Sequence, residues 1–142
     1  MFAVVAATLA QADELPLRKP GLWELKPPWE PNTTVQHCTD AAVDKKMMQA
    51  ILQADDFLNC PKREVRKTAT GYIFEFQCKM PVELLSREVE FIGDFDTGFT
   101  MKETHKDITK TVEVKWLGAC KPDQKPGDMD TFTRVNIKEY AP

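Results

Sequence analysis

Residues 72–80, Tyr-Ile-Phe-Glu-Phe-Gln-Cys-Lys-Met, contain the clearest structural signal in the chain. One face of this stretch would carry Tyr72, Phe74, Phe76, Cys78 and Met80. The other face is mainly polar, with Glu75, Gln77 and Lys79 beside Ile73. A period of two with one apolar face is typical of a strand whose sheet packs on a core and faces water on its other side. The stretch therefore predicts one strand of an antiparallel sheet.

Other segments alternate in the same way. The candidate strands are residues 21–25, 89–95, 99–101, 112–116 and 131–138. Turn-forming residues separate them at 69–71, around Pro81, at 96–98 and at 107–110. Short links between strands favour an antiparallel meander. The pattern predicts an α+β fold, mainly β, with a curved antiparallel sheet of about six strands.

One segment, residues 39–54, has a helical period. Val43, Met47, Met48, Ile51 and Leu52 would form a single apolar stripe. Thr39 is the predicted N-cap, and Asp40 would then lie in the first turn, where its charge is favourable. The segment predicts one short amphipathic helix that packs on the sheet.

The chain contains four cysteines, and an even number in a chain with export features indicates two disulfides. Cys38, Cys60, Cys78 and Cys120 allow three pairings. A hairpin that turns near residue 69 places Cys60 opposite Cys78, at a spacing that suits a disulfide. The remaining bond would then join Cys38 to Cys120.

That hairpin needs an irregularity. A regular register would place Lys62 and Glu64 on the apolar face, so a bulge near Pro61 is required to turn Val65 inward. Zinc is the competing use for the cysteines, together with His37 and His105. No pair of these residues has the close spacing typical of zinc sites, and we therefore expect neither a metal nor a cofactor.

The amino-acid composition is that of one globular domain. The chain has 142 residues, a net charge of −3 and 42% hydrophobic residues. This balance argues against binding to nucleic acid, which requires a basic surface. No stretch is long enough and apolar enough to span a membrane, so we expect no integral membrane segment.

The N-terminus resembles the end of a secretory signal peptide. An apolar run over residues 2–10 leads into Ala10-Gln11-Ala12, which matches a small-x-small cleavage site. We therefore expect residues 1–12 to be a signal-peptide remnant, residues 13–142 to form a single domain, and the protein to be periplasmic or secreted. No Lys or Arg precedes the run, so an N-terminal strand or helix is the alternative.

Asp96-Thr97-Gly98 matches the catalytic triplet of aspartic proteases, which share a proton between two aspartates. The same triplet between two alternating strands is also typical of a hairpin turn. The flanking Asp94 and Phe99 do not fit the protease pattern. An aspartic-type hydrolase using Asp96 is therefore the alternative function, and the turn is the favoured interpretation.

Aromatic residues are the remaining functional candidates. Trp23, Trp116, Tyr72, Phe74 and Phe76 could line a ligand groove on the concave face of the sheet, or could belong to the core. We therefore expect a protein without catalytic residues that binds a small molecule or an envelope protein, and a purely structural or stress-related role is a further alternative.

Several motifs together resemble a known family. They are Lys19-Pro20-Gly21-Leu22-Trp23-Glu24, Leu117-Gly118-Ala119-Cys120 and Lys125-Pro126-Gly127-Asp128-Met129. In this combination the chain is similar to domain-of-unknown-function family 3617, small exported proteins of Gram-negative bacteria. The resemblance implies an envelope protein and assigns no catalytic residue. Residues 131–142 extend beyond the shared ending.

Overall fold

The computed structural model describes residues 15–27, 30, 32–52 and 59–140. The expected signal-peptide remnant, residues 1–12, lies outside these residues. The described chain is mainly β, with one open antiparallel sheet, two short helices and two disulfides. The predicted fold class is confirmed, but the sheet has nine strands among the described residues rather than about six.

All strand pairs are antiparallel, and the order across the sheet is β3-β4-β5-β6-β7-β1-β2-β8-β9. The strands are β1 (Gly21–Lys26), β2 (Val35–Thr39), β3 (Asn59–Lys67), β4 (Gly71–Lys79), β5 (Leu84–Asp94), β6 (Gly98–His105), β7 (Ile108–Gly118), β8 (Asp128–Asp130) and β9 (Arg134–Asn136). The helices are α1 (Asp44–Leu52) and α2 (Ile137–Tyr140). The expected meander is therefore β3 to β7, and β1 and β2 extend it on the side of β7.

The β3–β4 hairpin contains the predicted irregularity. Val65 pairs with Phe74 and is buried, and the register shifts between Asn59 and Lys62. The shift lets Val65 face the core although Cys60 still reaches Cys78, to which it is bonded. The second disulfide joins Cys38 to Cys120, so the structure contains the predicted pairing.

One face of the sheet, here called the inner face, carries the main core. Its buried side chains include Trp23, Phe76, Val89, Phe91, Phe99 and Val114. Met48 and Ile51 of α1 pack against this cluster. The helix therefore covers part of the inner face, as predicted.

The predicted N-cap of the helix is wrong. Thr39 is the last residue of β2, and its hydroxyl donates a hydrogen bond to Asp44 Oδ1 at 2.8 Å. Asp40 is the cap instead, because its Oδ1 accepts bonds from the backbone N–H groups of Ala42 and Val43 at 2.9 and 3.1 Å. Regular helix begins at Asp44 rather than near residue 39.

The C-terminal part also differs from the prediction. In place of one strand over residues 131–138, Thr131–Thr133 form a turn, Arg134–Asn136 form β9, and a short helix follows. Ile137 of that helix packs with Val43 and Met47 in a second small cluster. Within the described ranges, no helix is long and apolar enough to cross a membrane.

Candidate ligand pocket

Among the described residues, a cavity that combines an apolar wall with polar groups lies on the inner face beside α1. Its volume is about 460 Å³, within the usual range for small-molecule sites. The wall is formed by β1, β2, β6, β7, α1 and the β8–β9 turn. Its apolar lining residues are Leu25, Val35, Ile51, Met101, Val112 and Phe132.

The strand pattern explains this lining. Leu25 pairs with Val35 on β2, and Met101 pairs with Val112 on β7, so each pair projects from adjacent strands to the same face. Leu25 and Met101 are buried, whereas Phe132 is 87% exposed at the tip of the β8–β9 turn. The pocket therefore has a buried apolar wall and an aromatic ring at its rim.

Charged groups lie where the pocket approaches the β6–β7 turn. Glu103 and Lys110 both line it, and they pair across β6 and β7 one step beyond Met101 and Val112. Arg87 of β5 lies beside them, with Nη1 at 3.2 Å from Glu103 Oε1. We call Arg87, Glu103 and Lys110 the mouth charges.

His37 of β2 lies at the opposite side of the pocket and is buried. Burial, together with the smaller effect of the nearby Arg18 guanidinium, lowers the pKa of His37 to about 3. The imidazole is therefore neutral at physiological pH. Its Nδ1 lies 3.4 and 3.5 Å from the two terminal guanidinium nitrogens of Arg18, an arrangement in which Arg18 donates.

Arg18 is part of a buried polar network. Its Nε and backbone N–H donate to the two carboxylate oxygens of Asp44 at 2.8 and 2.7 Å, and Thr39 also donates to Asp44. Burial lowers the pKa of Arg18, and the Asp44 charge opposes that effect. The network joins the segment before β1 to β2 and the start of α1. All of these side chains are buried, so the arrangement is that of a structural clamp.

The predicted groove residues are not brought together in one pocket. Trp23 and Phe76 are fully buried in the core, and Phe74 is nearly so. Tyr72 and Trp116 are half-buried, and each lines a different shallow depression.

Both tryptophans hold the chain segment before β1. The indole N–H of Trp23 donates to the Lys19 carbonyl at 2.8 Å, and that of Trp116 donates to the Pro20 carbonyl at 3.2 Å. Lys19 Nζ lies 3.9 Å from the centre of the Trp116 ring, a cation–π contact. These contacts give both tryptophans a structural role.

Asp96 lies in the β5–β6 turn and is exposed. The side chain that organises this turn is Asp94. Asp94 accepts bonds from the backbone N–H groups of Asp96 and Thr97 at 2.8 and 2.6 Å, and from the Thr97 hydroxyl at 2.7 Å. These bonds favour the charged carboxylate and lower the pKa of Asp94.

Gly98 follows this turn as the first residue of β6. Gly98 has no positive φ, and a Cβ there would lie 3.0 Å from the Val114 carbonyl oxygen, so its small size suits close strand packing. The described part of the chain also contains no group of three or more His, Cys, Asp or Glu side chains that could hold a metal ion.

Sequence reasoning missed most of the pocket. Met101 and Val112 were visible as inward positions of alternating strands, but Val35 belongs to β2, which the sequence did not reveal. Ile51 belongs to the stripe of the helix predicted to pack on the sheet, but the sequence does not show which strands it meets. The pocket joins side chains from separate segments, and no local spacing indicates which of them meet.

Comparison with known proteins identifies one family. Residues 18–120 match the family described as "Protein of unknown function (DUF3617)". The chain belongs to this DUF3617 family. No curated protein and no solved structure matches the chain significantly. The matched range begins at Arg18 and ends at Cys120, so it includes the buried clamp and both disulfides.

Proposed function

We propose that this DUF3617 protein binds a small, largely apolar molecule in the inner-face pocket and does not transform it. The observation that carries the proposal is the cavity of about 460 Å³ on the inner face, whose wall among the described residues is largely apolar. A pocket of this size with apolar walls and a few polar groups is the usual form of a small-molecule site. No catalytic pair is present among the described residues that line it.

The exposed Phe132 ring supports the same function. A large aromatic side chain that is 87% exposed at the rim of an apolar cavity adds apolar surface where a ligand would enter. Exposed apolar surface beside a groove is a recurring feature of binding sites. A bound molecule would therefore be covered from one side by Phe132 and from the other by the sheet.

We also propose that the protein works outside the cytoplasm, in the envelope of a Gram-negative cell. All four cysteines are in disulfides, which persist in oxidising compartments. The signal-like run at residues 2–10 supports the same location. Intact-mass analysis of exported protein should give a mass without residues 1–12, and a mass that includes them would contradict this.

Binding can be tested with phenylnaphthylamine, an uncharged apolar dye whose fluorescence rises in an apolar site. We expect saturable enhancement with the wild-type protein. Val112→Phe should weaken the affinity for the dye at least tenfold, because the larger ring occupies the pocket. Thr111→Phe is the matched control, since Thr111 is exposed on the same strand and successive side chains point to opposite faces.

Thr111→Phe should bind the dye with the affinity of the wild type if the inner-face pocket is the binding site. Equal affinities for the wild type and Val112→Phe, or no saturable binding by the wild type, would contradict the proposed function.

A further inference from the structure

The mouth charges carry an inference about the ligand, which rests on the proposed pocket function. Arg87, Glu103 and Lys110 stand on the adjacent strands β5, β6 and β7. They comprise two cations and one carboxylate, and Arg87 and Glu103 form an ion pair. Glu30 also lines the pocket and, like Lys110, is exposed, so water and salt screen both of these charges more than that of Arg87.

Arg87 has unused hydrogen-bonding capacity. Its side chain is 22% exposed, and its Nη1 contacts Glu103. Its Nε is buried and has no hydrogen-bond partner among the described residues. A buried donor without an acceptor is rare in folded proteins, because it has given up water without replacement. A guanidinium with one side engaged can still bind an additional carboxylate or phosphate oxygen.

The apolar wall begins directly below these charges. Met101 lies two residues before Glu103 on β6, and Val112 lies two residues after Lys110 on β7. Residues two apart on a strand project to the same face about 7 Å apart. A molecule whose charged end meets Arg87 and Lys110 would therefore place its next few carbon atoms against Met101 and Val112.

We infer that the ligand is an anionic amphiphile, such as an alkyl carboxylate, with its acidic head at Arg87 and Lys110 and its apolar tail in the pocket. Glu103 competes with that head for the same cations. Removal of the Arg87 charge should therefore weaken binding of the anionic ligand, whereas removal of the Glu103 charge should strengthen it.

Displacement of phenylnaphthylamine by three probes of equal tail length tests the inference. Decanoate should bind at least tenfold more tightly than decanol, and decyltrimethylammonium should bind most weakly. Arg87→Met should weaken decanoate at least fivefold and leave decanol unchanged. Glu103→Gln should strengthen decanoate about fivefold or more and also leave decanol unchanged.

Lys102→Gln is the matched control, because Lys102 is exposed beside Glu103 on the opposite face of β6. It removes one positive charge and should leave the affinity for decanoate unchanged. Unchanged decanol binding shows that each variant still has a folded pocket. If Arg87→Met fails this check, Arg87→Lys replaces it. Lysine keeps the positive charge but lacks the planar guanidinium, so the affinity for decanoate should be intermediate.

The outcomes separate the two proposals. Equal affinities for decanoate and decanol would overturn the anionic ligand and leave the apolar pocket standing. Weaker decanoate binding by Glu103→Gln would also overturn the inference. Failure of all three probes, together with no dye binding, would overturn the proposed function itself.

Discussion

At the scale of single residues, the most informative side chain is His37. It is the point at which the clamp of Arg18 and Asp44 reaches the pocket wall. A charged imidazole beside a buried guanidinium would be unfavourable, and burial adds to that cost. The folded protein therefore keeps His37 neutral, and this neutrality couples its stability to pH.

The sign of that coupling follows from the two pKa values. His37 has a folded pKa of about 3, against an ordinary value of 6.5. Between these values the unfolded chain binds a proton that the folded chain does not, so the free energy of unfolding falls as the pH falls. The loss is about 1.4 kcal/mol per pH unit within this window, or about 2 kcal/mol between pH 7 and pH 5.

We therefore expect urea denaturation to show a stability loss of about 2 kcal/mol for the wild type between pH 7 and pH 5. His37→Gln should remove most of this loss, because glutamine offers a neutral acceptor to Arg18 and does not titrate. The carboxylates with lowered pKa values, Asp94 and Asp130, titrate below this range and affect both proteins alike. The same pH dependence in both proteins would contradict the assignment.

At the scale of elements, the two disulfides act on different parts of the sheet. Cys60–Cys78 holds the bulged end of the edge hairpin, and Cys38–Cys120 joins β2 to the chain that leaves β7. The first closes 18 residues of sequence and the second closes 82. In the chain-entropy account, the longer loop gains more from the bond.

The double variant Cys38→Ala/Cys120→Ala should therefore lose more stability than Cys60→Ala/Cys78→Ala. The expected losses are about 4.5 and about 3 kcal/mol. Urea denaturation of the two variants and the wild type measures the difference. A larger loss from Cys60→Ala/Cys78→Ala would show that the edge hairpin, rather than the closure of β2, limits stability.

The elements also show which parts of the fold could be predicted from the sequence. The bulge near Pro61 was predictable, because only a shift of register lets both Val65 and the Cys60–Cys78 bond face inward. Strand β2 could not be predicted. His37, Cys38 and Thr39 are all buried, so this segment lacks the alternation of apolar and polar residues that marks the other strands. The three-residue strand β8 is too short to show a pattern.

The same reasoning explains the error at the helix start. Thr39 and Asp40 are both good N-cap residues, and the local sequence does not decide between them. The choice is made by Asp44, which engages the Thr39 hydroxyl through the long-range clamp with Arg18. A contact between residues 18 and 44 cannot be inferred from spacing.

At the scale of the whole molecule, the sheet has more inner face than one nine-residue helix can cover. Aromatic side chains fill the part near β4, β5 and β6, and α1 reaches them through Met48. The part near β1, β2 and β7 keeps a cavity of about 460 Å³. The pocket thus follows from the difference in size between the sheet and the helix, and the mouth charges make one end of the pocket polar.

The most direct test of the central claim is methyl NMR of the protein titrated with phenylnaphthylamine, whose rings shift the resonances of nearby methyl groups. We predict saturable shifts for the methyl groups of Ile51, Met101 and Val112, which line the pocket. Ile73 of β4 and Ile92 of β5 do not line it and should remain unshifted. Shifts confined to Ile73 and Ile92, or no saturable shift at the pocket methyl groups, would contradict the account.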